Sequence, residues 1–82
     1  MSIEENIRRY ILENYLFTED QSELDNQDSL LKKGIMDSTG IMELILYLEE
    51  EFKIKIDDDE IIPENMDSVN SILNFLNSKH VT

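Results

Sequence analysis

Three Asp-Ser pairs, Asp28-Ser29, Asp37-Ser38 and Asp67-Ser68, put a hydroxyl beside a carboxylate in this chain. Taken alone, such a pair is an ordinary helix cap, because its side-chain oxygen accepts a bond from an N–H group that the first turn leaves unpaired. Asp37-Ser38 is set apart by the residues downstream of it. The run Ile41-Met42-Glu43-Leu44-Ile45-Leu46-Tyr47-Leu48-Glu49-Glu50-Glu51-Phe52 is apolar, then acidic, and predicts a helix from Ser38 to about Phe52. Asp37 is then its N-cap, and Ser38 stands in the first turn, outside the core and at the positive end of the helix dipole. A phosphate is electrostatically favoured there, so the chemistry this position suits is a phosphodiester on the serine hydroxyl.

The rest of the chain offers little catalytic chemistry. There is no cysteine, hence no disulfide, thiolate metal site or protein-borne thiol nucleophile. Asp57-Asp58-Asp59-Glu60 lacks the alternating ligands, central glycine and distant glutamate of an EF-hand loop and reads as a solvated cap, with adventitious divalent-cation binding as the alternative. The single histidine, His80, has no nucleophile near it in sequence and reads as a surface residue. Glycine-rich phosphate loops, zinc spacings and hydrolase elbows are missing. No catalytic residue and no metal ligand is therefore assigned.

Composition narrows the partners. With 19 acidic and 7 basic residues the formal net charge is −12, which repels nucleic-acid backbones and anionic membranes and steers basic partners inward. A hydrophobic share of 40%, gathered into periodic blocks, argues against disorder. The start, Met1-Ser2-Ile3-Glu4-Glu5, has neither a basic region nor a long apolar run, so neither a signal peptide nor a membrane span is expected, and the expected location is cytoplasmic. Eighty-two residues make one domain, 1–82, expected as a monomer. A domain this small buries only about 60% of its unfolded surface, which limits it to a single modest core.

The elements that must hold Ser38 are helical. Ser2-Ile3-Glu4-Glu5 fits a capping box, and Ile3, Ile7, Tyr10, Ile11 and Tyr15 recur at helical spacing to near Leu16. Residues 17–37 are polar and irregular, with Leu24, Leu30, Leu31, Ile35 and Met36 spaced as anchors and Gly34 placed for a positive-φ turn. Glu60-Ile61-Ile62 predicts a short third helix broken near Pro63. Asp67 or Ser68 caps a last helix whose apolar face is Val69, Ile72, Leu73 and Leu76, with Lys79 and His80 near its C-terminal end. Ile54-Lys55-Ile56 alternates like a strand but has nothing to pair with. The expected fold is an all-α bundle of three main helices and one short one, with a long loop between helices 1 and 2.

This order of elements resembles the acyl carrier protein family and the related peptidyl and D-alanyl carriers, over nearly the whole chain. The likeness runs through the helix at Ile3–Leu16, Asp28-Ser29-Leu30-Leu31-Lys32-Lys33-Gly34-Ile35-Met36, Asp37-Ser38, Glu49-Glu50-Glu51-Phe52-Lys53-Ile54, Asp57–Glu60 and Pro63-Glu64-Asn65-Met66-Asp67-Ser68-Val69. The last of these segments looks closer to D-alanyl and other specialised carriers. The resemblance implies that 4′-phosphopantetheine, taken from coenzyme A by a phosphopantetheinyl transferase with a divalent metal, is attached to Ser38, with Asp37 capping beside it. The family's leucine and glycine upstream of its modified serine match Leu30 and Gly34, which favours Ser38 over Ser29 and Ser68. Thr39, where the family has a large apolar residue, and Gly40, where many members have aspartate, depart from the pattern and bear on which enzymes dock.

A carrier of this kind does no chemistry itself. It presents an acyl or aminoacyl thioester to ligases, acyltransferases and synthases with basic docking patches, in fatty-acid, polyketide or other specialised metabolism. The alternative is an unmodified acidic helical module that regulates a basic protein partner. At 100° per residue, Ile41, Leu44, Ile45, Leu48 and Phe52 form the core face of the second helix. Thr39, Met42, Glu43, Leu46 and Glu50 fall on the opposite side, where they form a partner-binding face unless Met42 and Leu46 pack beneath the long loop.

The charge gives a first test. Self-repulsion at −12 is relieved by screening, so the melting temperature should rise between about 10 mM and about 150 mM salt. A thermal melt followed by circular dichroism checks this; an unchanged midpoint would count against it.

Overall fold

The computed structural model describes residues 2–79. Helix α1 (Ile3–Ile11) starts at Ser2, whose hydroxyl oxygen accepts the Glu5 N–H at 3.1 Å, while the Glu5 carboxylate accepts from that hydroxyl at 3.3 Å. The helix widens into one π-turn, Leu12–Leu16, so the first helical stretch ends at Leu16. Phe17 stops it at φ 54°, a left-handed conformation uncommon for a bulky residue, with its N–H bonded to the Leu12 carbonyl. The stop falls where the apolar spacing runs out, near Leu16.

Residues 17–37 hold one short 3-10 turn, Gln21–Glu23, and are otherwise irregular. They are fastened all the same. Arg8 donates from Nε to the Gln21 side chain at 3.0 Å, from Nη2 to the Gln21 carbonyl at 2.8 Å, and from Nη1 to Asn26. Leu24, Leu30 and Met36 are buried in the core, and Ile35 packs against it. Leu31, expected as an anchor, is instead 40% exposed: its N–H is drawn to the Asp67 carboxylate, and its side chain borders a cleft. Gly34 does adopt positive φ, at 71°, and a Cβ there would meet nothing within 4 Å, so conformation alone calls for glycine.

Helix α2 (Ser38–Phe52) buries Ile41, Leu44, Ile45 and Leu48, while Phe52, at its exit, is only partly buried and lies edge-on to Tyr47. Tyr47 in turn stacks on Tyr10 of α1, ring centres 4.2 Å apart. Lys53, at φ 56°, ends the helix. Ile54-Lys55-Ile56 forms no strand among the described residues; Ile56 is buried, and its N–H donates to the Glu49 carboxylate at 2.9 Å.

The third helix is displaced from its expected place. Asp58–Glu60 form a 3-10 turn, closed by the Asp57 N–H on the Glu60 carboxylate at 2.9 Å, and α3 is Pro63–Met66. Pro63 begins the helix rather than breaking one. In the first helical position a missing N–H costs nothing, and the fixed φ suits the turn. Helix α4 (Val69–Ser78) is capped by Ser68, whose Oγ accepts the Ser71 N–H at 3.0 Å. It buries Val69, Ile72, Phe75 and Leu76, whereas Leu73 packs at the edge. Lys79, just past its end, pairs with Glu60 at 2.9 Å. The Asp57 N–H, and after it Lys79, hold the Glu60 carboxyl below its ordinary range. His80 lies outside the described residues. The architecture is all-helical, with α1, α2 and α4 around one core and α3 against its side.

Two neighbouring leucines on α2 test this packing. Leu44 is fully buried and Leu46 is 60% exposed. Leu44→Ala should cost about 2–5 kcal/mol of unfolding free energy, and Leu46→Ala no more than about 0.5 kcal/mol. Urea titration of both variants checks the contrast.

Candidate functional site

Ser38 is the first residue of α2 and is exposed. Asp37, in extended conformation, accepts the Gly40 N–H at 2.8 Å, so the aspartate carries the cap and the serine does not. Among the described residues the Ser38 hydroxyl takes part in no hydrogen bond. The other two Asp-Ser serines are engaged. Ser29 donates to the Asp67 carboxylate at 2.6 Å and accepts the Lys32 N–H at 3.1 Å. Ser68 caps α4 and bonds to the Ser71 hydroxyl at 3.0 Å. The site can therefore take a phosphate ester at Ser38 without breaking any native bond, beside helix N–H groups whose dipole favours negative charge.

Gly40, buried on the opposite side of this turn, makes the geometry possible. A Cβ there would lie 3.1 Å from the Tyr15 ring and 3.2 Å from the Met36 Cβ. The end of the π-turn and the end of the loop thus both close tightly onto the start of α2 at Gly40. A larger residue here would oblige the Tyr15 ring and the Met36 Cβ to give by a few tenths of an ångström. Tyr15 is locked further by donating its hydroxyl to the Glu43 carboxylate. Burial first, and then this bond, push the phenol well above its ordinary range, so it remains a donor.

Thr39, Met42, Glu43, Leu46 and Glu50 are all exposed or half-exposed along α2, with Met42 at 49% exposure. Met42 and Leu46 do not pack beneath the loop. Met42 also forms one wall of a cleft of about 220 Å³ between α2 and α3, which starts at Ser38 and is lined by Leu31, Ile41, Ile61, Ile62, Pro63, Met66 and Asp67. The α3 side of this cleft, and Tyr15, were missed by sequence reasoning. The Ile61-Ile62-Pro63 run carried a signal for the former, since proline after apolar residues can open a helix. Among the described residues no group of three or more acidic or histidine side chains converges to hold a metal ion, the run at 57–60 included.

Comparison with known proteins identifies the family. Residues 16–76 match the family model described as the phosphopantetheine attachment site. The D-alanyl carrier protein of Streptococcus suis is 40% identical over 73 residues, 89% of either chain. That of Streptococcus pyogenes serotype M5 matches at the same identity and coverage. Among solved structures, the holo acyl carrier protein of Nitrosomonas europaea superposes over the full length of both chains with a TM-score of 0.78 at 26% identity. Together with an all-helical frame that presents a free, helix-opening serine, these matches show that the chain belongs to the phosphopantetheine attachment-site family, as a carrier protein whose cofactor is covalently bound phosphopantetheine.

Proposed function

We propose that this chain acts as an aminoacyl carrier of the cytoplasm, itself not an enzyme, whose phosphopantetheine arm is attached at Ser38 Oγ. The observation that carries the reading is the contrast among the three Asp-Ser pairs. Ser38 alone combines exposure, a free hydroxyl and the start of a long helix. Asp37 holds the first turn through its bond to Gly40, and the helix dipole offsets the charge of the phosphodiester. The thiol at the end of the arm supplies the thioester chemistry that a chain without cysteine lacks. An aminoacyl cargo is favoured over fatty-acid or polyketide intermediates by the likeness to D-alanyl carrier proteins at 40% identity.

The partners are a phosphopantetheinyl transferase, an aminoacyl ligase and an acceptor enzyme, each with a basic rim around its docking patch. Met42 and Leu46 give the face an apolar centre, and Glu43 and Glu50 give it a negative border. Tethering raises the effective concentration of cargo at each successive enzyme, which is what a small body with no active site contributes.

Intact mass after incubation with coenzyme A and a promiscuous phosphopantetheinyl transferase tests the reading. The wild-type chain, Ser29→Ala and Ser68→Ala should each gain the mass of one arm, and Ser38→Ala should gain none while staying folded. Loading lost in Ser29→Ala or Ser68→Ala but kept in Ser38→Ala would move the site. A wild-type chain that gains nothing would leave the unmodified acidic module standing. Glu43→Lys and Glu50→Lys should slow loading several-fold at low salt and less at physiological ionic strength, because rim charges act mainly on encounter.

A further inference from the structure

Among the described residues, the most exposed large apolar side chain sits at the stop of the first helical stretch: Phe17 is 81% exposed. Neither of the usual demands of folding calls for it. Its ring buries little, and its backbone, at φ 54°, takes the left-handed conformation that suits glycine or asparagine and strains a bulky residue. The turn is nevertheless fixed. The Phe17 N–H bonds to the carbonyl of the buried Leu12, and the Thr18 N–H reaches the same oxygen at 3.1 Å. An aromatic ring free of the core is thus presented on a rigid mount.

That mount adjoins the attachment site. Tyr15, two residues earlier, meets the first turn of α2 at Gly40 and donates to the Glu43 carboxylate, and with Ser38 it lines one open hollow. A step of two residues spans at most about 7 Å. An interface of standard size covers about 800 Å² of each partner, a patch roughly 30 Å across, and the whole molecule measures 29 × 27 × 19 Å. A partner seated over Ser38 therefore covers the end of the first helical stretch together with the start of α2. The enzyme that modifies Ser38 Oγ has to sit there, whereas a ligase or an acceptor meets the far end of the arm.

The charge around the ring sets the chemistry of the opposing surface. Glu13, Glu19 and Asp20 are exposed on either side of Phe17, Glu43 is held in place by Tyr15, and no lysine, arginine or histidine stands between Tyr10 and Leu31. An apolar centre within a carboxylate border fits an apolar socket with a basic rim. We propose that Phe17 is a second docking anchor, apart from Met42 and Leu46 on α2, and that the phosphopantetheinyl transferase takes it up when it modifies Ser38. Aromatic anchors carry a large share of interface energy, and one on a rigid mount loses little freedom on binding. The inference rests on the carrier reading with the arm at Ser38.

The test uses the full chain, coenzyme A and the phosphopantetheinyl transferase of its own host, with arm attachment followed by intact mass. Phe17→Asn removes the ring and leaves a residue that suits the left-handed turn, so its melting midpoint should equal or exceed that of the wild type. Its KM for loading should rise about fivefold or more with kcat nearly unchanged, because the lost contact is made equally before and during the reaction. Phe17→Tyr, which keeps the ring, should load within about twofold of the wild type. A midpoint that falls by several degrees in Phe17→Asn makes Phe17 a packing residue and overturns the anchor. A wild-type dimer in size-exclusion chromatography that Phe17→Asn dissolves gives the surface to a second copy and overturns it too. A wild-type chain that takes no arm overturns the carrier reading and the anchor with it; normal wild-type loading with an unaffected Phe17→Asn overturns only the anchor.

Discussion

Arg8 reaches from α1 to Gln21 and Asn26 with three donors, and most of what matters around Ser38 depends on that reach. A domain of 82 residues has few apolar side chains to spare, so a connecting segment of about twenty residues has to contribute to the core instead of merely spanning it. The guanidinium fixes the first half of the loop, Leu24 and Leu30 fill the space between helices, and Met36 closes against Gly40 immediately before α2 starts. Asn26, held by Arg8, then donates to Glu4 at 2.8 Å and accepts the first-turn N–H of Asn70. One cation thereby aligns α1, the loop and the start of α4, and the loop in turn delivers Asp37-Ser38 to the surface in a single position.

The same economy explains why charge can be so unbalanced. Among the described residues no charged or polar side chain is buried, and the core consists of aliphatic residues with Met36, Met66 and Phe75. Cohesion is therefore apolar, and the excess of carboxylates lies on the outside, where repulsion is screened. Local placement still matters. Glu49 and Glu60 turn inward to take backbone N–H groups of the irregular segment after α2, and Glu60 also pairs with Lys79. Glu43 is bound by Tyr15, so one carboxylate of the α2 surface is presented in a fixed orientation rather than as a mobile charge.

Where a single residue type answers a single physical demand, the sequence is legible. The capping aspartate at 37, the run to Phe52 and the positive φ of Gly34 each have one structural solution, and α2 spans the residues its pattern predicts. The fold class follows from the 3.6-residue periods of α1, α2 and α4. The failures share a cause: they are decided by partners far away in sequence or by elements too short to leave a pattern. Leu31 looks like an anchor by type, but its backbone answers to Asp67, 36 residues on. Pro63 reads as a breaker because the helix it opens is too short to show a period. Type alone leaves Asp67 and Ser68 equal as caps for α4; Ser68 takes that role, and Asp67 turns to the loop. Nor does any spacing rule foretell that Tyr15 fills the gap left at Gly40.

Stability in this fold is distributed unevenly, and the division falls along the cleft. On one side α2 contributes four buried aliphatic residues, and its first turn is wedged by Tyr15 and Met36, so Ser38 is held by groups that move only if the core opens. On the other side α3 contributes one buried methionine, rests against α4, and is otherwise held by hydrogen bonds at a half-exposed rim. Local opening draws on segments with few buried apolar contacts, and α3 is such a segment. An attachment point must meet several enzymes in one orientation, which favours placing it on the rigid side. Asp67 joins α3 to the loop that leads to the serine.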